Sequence, residues 1–273
     1  MSNIIIRSKL FYIDADGALQ ASWYLGNADG TSVAKQNYYI RVMDKWGANT
    51  IFLNILNDTF STIYSGEFMN SSFHEGKVNL YFNFMRRLKN AGKLVVPVFF
   101  DCPRGDSSAK YPYWIYGDRL VPFLRIVTKA LAPLADGYVL GIETHRGPTI
   151  TDQRGLSTTE VNAALGVIKK YAYRVDNEGV RHNIPVGTHE VGDRMFSNAD
   201  FKGVETRNHP VTQGDSTPVA DMVAEVSGIA KRAQAAGQPV IVMESNSSEG
   251  AQAKAQNQAM AQIDGVVGVN CPM

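Results

Sequence analysis

Tyr138-Val-Leu-Gly-Ile-Glu143-Thr-His145-Arg146 is an apolar run that stops abruptly at a carboxylate, followed by an imidazole and a guanidinium. Much later in the chain, Val240-Ile-Val-Met243 stops the same way at Glu244, followed by Ser245 and Asn246. A short run of β-branched and apolar residues after a helical segment reads as a buried parallel strand. In α/β proteins, parallel strands deliver their functional groups at their C-terminal ends. The spacing therefore predicts two glutamates on one rim.

Working outward from these runs, strand and helix patterns alternate. Upstream, Val33 to Trp46 reads as a helix closed by Gly47, followed by a second strand, Thr50-Ile-Phe-Leu-Asn54. Val78 to Asn90, with Leu80, Phe84 and Leu88 on one face, is a helix closed by Gly92, and Leu94 to Phe100 is the third strand, with Asp101 at its end. Leu120 to Leu134 is a helix before the fourth strand, Gly137 to Glu143. Downstream, Ser157-Thr-Thr-Glu160 is a capping box opening a helix to about Val175. Ile184 to Thr188 is a fifth strand ending at His189 and Glu190, and Lys202-Gly-Val-Glu205-Thr a sixth, ending near Arg207, Asn208 and His209. Pro218 to Ala236 is a helix, Pro239 to Glu244 the seventh strand, Gly250 to Ile263 a helix, and Gly265 to Asn270 the eighth strand.

At the start, Ile4 to Ile6 and Leu10 to Ile13 precede Asp14-Ala-Asp16-Gly17, a turn of the Asp-Gly kind. Residues 1–18 are expected to form an N-terminal β-hairpin segment flanking the floor, with residues 19 to 25 as the first barrel strand. The expected architecture is one (β/α)₈ TIM barrel over residues 1–273, lacking the last helix. Asn57 to Gly76 is a long polar and aromatic loop placed to wall a cleft.

Composition narrows the partners. The chain has 273 residues, 44% hydrophobic, with 27 Lys and Arg against 26 Asp and Glu, so no general attraction to nucleic acid or an anionic membrane is built in. The first residues lack a basic segment followed by a long apolar one, and no run reaches membrane-span length, so a soluble chain without a secretory signal is expected. Cys102 and Cys271 lack CxxC spacing and define neither a disulfide nor a metal motif. There is no GxGxxG or Walker sequence, and no cofactor is expected.

The barrel rim then gathers Trp23, Asn54, Asp101, Glu143, His145, His189, Glu205, Arg207, His209, Glu244, Asn246 and Asn270. Paired carboxylates across such a mouth are the equipment of glycoside hydrolysis. Glu190 and Glu205 are rivals for membership of the pair. Trp114 and Tyr116, in a Pro-containing loop after the third strand, are candidates for stacking on sugar rings. His145, His189 and His209, with Asp101 or Glu205, offer a metal-dependent hydrolase as another reading, although their spacing matches no compact metal motif.

With an Asp-Gly hairpin ahead of the first strand, a glutamate ending the fourth strand and another ending the seventh, the chain resembles the retaining glycoside hydrolases of clan A, which include cellulases and mannanases. The resemblance implies that Glu143 is the acid/base, that Glu244 is the nucleophile, and that the other rim residues bind a carbohydrate. It also exposes two departures. Ile142 stands where the clan usually has asparagine before the acid/base, and Asn270 stands where an aromatic residue usually ends the eighth strand. A non-catalytic carbohydrate-binding or structural barrel in a larger assembly is the alternative from another class.

Overall fold

The computed structural model describes residues 10–13, 33–54, 75–100, 120–142, 156–191, 194–206, 217–244 and 250–269. Strands β1 (Leu10–Ile13), β2 (Thr50–Asn54), β3 (Leu94–Phe100) and β4 (Tyr138–Ile142) alternate with helices α1 (Val33–Trp46), α2 (Glu75–Asn90) and α3 (Leu120–Leu131). After α4 (Thr158–Tyr171) comes a small hairpin of β5 (Tyr173–Val175) and β6 (Arg181–Asn183). The sequence closes with β7 (Val186–Val191), β8 (Phe201–Glu205), α5 (Val219–Ala235), β9 (Val240–Glu244), α6 (Ala251–Met260) and β10 (Val266–Val269).

Eight of these strands form one sheet in the order β1-β2-β3-β4-β7-β8-β9-β10, with every neighbouring pair parallel. The sheet curls until β1 contacts β9, as in a (β/α)₈ barrel. Among the described residues no hydrogen-bonded ladder joins β10 to β1.

The first strand is not where the sequence reading placed it. Leu10 to Ile13, expected within a flanking hairpin, pairs in parallel with Thr50 to Leu53 and so occupies the first strand position. The physical reason lies in composition: a parallel strand covered on both faces is a continuous apolar run, which Leu-Phe-Tyr-Ile is and Leu19-Gln-Ala-Ser-Trp-Tyr-Leu25 is not. The Asp-Gly turn and residues 19 to 25 lie outside the described residues.

Period-two alternation divides the strand side chains between two cores. Phe52, Val96, Val98, Val139, Phe201, Ile241 and Met243 fill the barrel interior. Ile51, Leu53, Val95, Phe99, Tyr138, Leu140 and Val186 face outward onto α1 to α4. Tyr138 anchors that outer layer: its ring stacks on Phe99 at 5.7 Å, its hydroxyl donates to the Thr128 carbonyl of α3 at 2.8 Å, and burial pushes the phenol pKa up. On the other side, Met222, Val226, Ile229, Ala230 and Ala233 of α5 cover Val204, Val240 and Val242.

Two aspartates tie strand starts together at the floor. Asp136, ahead of β4, donates its N–H to the Val95 carbonyl at 2.7 Å and accepts from the Val95 N–H at 2.9 Å, while Lys89 of α2 reaches its carboxylate at 2.6 Å. Asp200, ahead of β8, repeats the arrangement with Val186 at 2.7 and 2.9 Å, and Lys169 of α4 reaches it at 2.6 Å. Arg174 of the hairpin also donates to Asp136, at 3.3 Å, and to the Ala135 carbonyl, at 3.0 Å.

Helix α4 opens as expected. Ser157 Oγ accepts from the Glu160 N–H, and the Glu160 carboxylate accepts from the Ser157 N–H at 2.8 Å. It ends earlier than expected, at Tyr171, because the next residues turn into the β5–β6 hairpin. Asp176 Oδ1 accepts from the N–H groups of Glu178 and Val180, and Gly179 supplies a φ of 80°. No helix among the described residues is long and apolar enough to cross a membrane.

Candidate active site

The mouth is the C-terminal edge of the sheet. β4 and β9 are its fourth and seventh strands. β4 ends at Ile142, immediately before Glu143 in sequence, and β9 ends at Glu244. Asn54 closes β2 in the same way.

β7 and β8 bring two further predicted residues to this edge. His189 shares the inward face with Gly187, is fully buried, and pairs in register with Gly203. Glu205 shares the inward face with Phe201 and Gly203. It is half-buried, whereas the four residues before it are buried, so it is the first inward residue of β8 to reach the opening. Its register partners are Val191 on β7 and Glu244 on β9. Beneath this layer Phe201 is seated against Gly187, where any Cβ would overlap the ring, and the interior becomes apolar. A charge held just above such a floor interacts more strongly than it would in water.

Glu190 does not join His189 at the mouth. Adjacent strand residues face opposite ways, and Glu190 lies on the helix-facing side, fully buried, in register with Val204. Thr188 and Lys202, paired across β7 and β8, share that outer face and are also fully buried. The rivalry of Glu190 for the carboxylate pair therefore fails on geometry, while Glu205 keeps a place facing the opening. The expectations for Trp23, Asp101, Glu143, His145, Arg207, His209, Asn246 and Asn270, and for Trp114 and Tyr116, fall outside the described residues. Among the described residues no group of three or more His, Cys, Asp or Glu is arranged to hold a metal ion.

Thr217, just ahead of α5, is held from α6. Gln252 and Gln256 of α6 each donate a side-chain N–H to the Thr217 carbonyl, at 2.8 and 2.7 Å.

Sequence reasoning overlooked Gly203 and Met243. A Cβ on Gly203 would collide with the Met243 sulfur and the Thr188 carbonyl. The available signal was a glycine inside a short strand, which marks a bulge or a close approach.

The arrangement of strands can be matched to known molecules. The chain overlays GH5_18 from Streptomyces cattleya, solved in complex with GlcNAc, with a TM-score of 0.65 at 14% identity, covering 97% of this chain and 69% of that one. The chain shares its fold with this solved glycoside hydrolase. The exo-beta-1,4-mannosidase Op5Man5 from Opitutaceae bacterium strain TAV5 overlays with a TM-score of 0.61 at 14% identity, over 96% of this chain and 50% of that one. A fungal beta-1,4-galactanase does so at 0.56 and 14%, over 85% and 79%. No family model matches the chain, and no curated protein matches its sequence.

Proposed function

We propose that the chain is a glycoside hydrolase cleaving O-glycosidic bonds of an oligo- or polysaccharide by a retaining mechanism, with Glu143 as acid/base and Glu244 as nucleophile. The observation that carries the reading is positional. Glu244 ends the seventh strand of the sheet, and Glu143 follows in sequence the last residue of the fourth, in a fold shared with solved glycoside hydrolases.

In this reading Glu244 attacks the anomeric carbon while protonated Glu143 delivers its proton to the departing glycosidic oxygen. Water, deprotonated by Glu143, then releases the sugar from Glu244. Retention requires the carboxyl groups to stand about 5 to 5.5 Å apart. His189 and Glu205, on the inward face of the neighbouring strands, would orient sugar hydroxyls, together with the rim residues named from the sequence. Neighbouring folds are solved with GlcNAc and with Manb1-4GlcNAc, which favours β-linked hexosides as first substrates.

The test is a screen of aryl β-mannoside, β-glucoside and β-galactoside with wild type, Glu143→Gln and Glu244→Gln. Glu143→Gln is expected to lower turnover by about 10² to 10⁴-fold, and a 2-fluoro glycoside is expected to label Glu244. Sugar binding without turnover of any glycoside by the wild type would replace this reading with that of a carbohydrate-binding barrel.

A further inference from the structure

β9 does not run regularly to its end. It pairs with β8 as Val240 with Lys202, Ile241 with Gly203 and Val242 with Val204, but Glu205 then pairs with Glu244, leaving Met243 as an extra residue. Ile241 and Met243 belong to the barrel interior, whereas Val240 and Val242 pack on the helices. A regular continuation would therefore place position 244 on the helix-facing side. The extra residue instead makes it the partner of Glu205, which faces the interior. Bulges of this kind re-aim a side chain at barrel rims.

The seat of the bulge is specific. Met243 is fully buried, with its sulfur against the bare Cα of Gly203. β4 is also irregular: between the pairs Val139 with Gly187 and Ile142 with His189, it carries one residue more than β7. The remaining shift, between β9 and β10, lies at Val266 and Gly268, near the opposite end of the sheet.

We propose that Met243 is a positioning residue: seated in the notch over Gly203, it anchors a one-residue bulge that turns position 244 from the helices to the mouth. Only the kinetic consequence rests on the hydrolase reading. Orientation can be tested apart from catalysis by placing Glu244→Cys in the parent, Met243→Ala, Met243→Val and Met243→Leu backgrounds and following iodoacetamide alkylation at position 244 by peptide mass spectrometry. Alkylation should slow at least about tenfold with Ala or Val and stay near the parental rate with Leu, whose reach is closest to that of methionine. Val98→Ala, from the same interior, controls for general loosening and should leave the rate unchanged. Met243→Val serves if the Ala variant fails to fold.

With Glu244 restored, Met243→Ala should lower kcat at least about tenfold at unchanged KM, since a misplacement of about 1 Å can cost a hundredfold. Alkylation indifferent to residue 243 overturns the proposal, even in an active enzyme. A wild type inactive on every glycoside, with alkylation still governed by Met243, upholds the bulge and defeats the hydrolase reading instead.

Discussion

Asp136 shows how much one side chain can organise. Its carboxylate accepts from a backbone N–H at the start of β3 and from cations on α2 and β5, while its own N–H completes the link to β3. Lys89 and Arg174 are exposed enough to find water if the carboxylate is removed, but the Val95 N–H is buried. Asp136→Ala should therefore cost about 1 to 3 kcal/mol, the range for stranding a buried donor, seen as a lower urea midpoint at unchanged slope. Asp136→Asn retains an acceptor and should recover much of that loss. Nothing in the sequence marked this residue, because its partners lie 41 and 47 positions upstream and 38 downstream. Ser157 and Glu160 were legible because their bonds close within three residues.

The same distinction between local and distant causes governs the elements. α1, β2 and β3 fall where periodicity and terminal glycines put them, and Gly47 and Gly92 adopt the positive φ that a helix terminus of this kind needs. Sheet neighbours are distant contacts, so the sequence could not decide which apolar run would lie beside β2, and Leu10–Ile13 took a position assigned to residues 19 to 25. Glu190 was grouped with His189 because proximity in sequence ignores the alternation of a strand. The β5–β6 hairpin was missed where helical periodicity was extended past Tyr171.

That hairpin carries a pH dependence of its own. The hydrogen bond from His182, then those from Val180 and Glu178, hold the exposed Asp176 carboxyl below its ordinary pKa. A depressed folded-state pKa contributes stability that is present above the unfolded value and is lost as pH falls through the folded one. The turn should thus open only at pH below the ordinary carboxylate range. The protection factor of the Val180 amide should fall towards one there while β7 stays protected, and His182→Ala should move the opening to higher pH. Unchanged protection of Val180 across that acid range would remove the role given to Asp176.

For the whole molecule, the floor is built by repetition. The clasp of Asp136 on Val95 recurs as that of Asp200 on Val186, two strands further round the sheet, each with a lysine from the helix preceding the clasped strand. The two clasps share no side chain, so the stability losses of Asp136→Ala and Asp200→Ala should add in the double variant to within about 0.5 kcal/mol. A larger joint loss in urea melts would mean that the floor acts as one unit. Two strand endings were legible from the sequence, since the apolar runs of β2 and β9 stop at Asn54 and Glu244 in the structure as they do in the chain. The bulge that levels position 244 with Glu205 was not, because register is a relation between strands.

The repeated clasp has a consequence for how such a chain can change. Strands held at their starts by their own backbone and an aspartate do not depend on the loops at the other end for alignment. Insertions, deletions and exchanges above the mouth can then be tried one at a time without unpicking the frame, which makes the clasped floor a fixed chassis and the rim the part open to innovation.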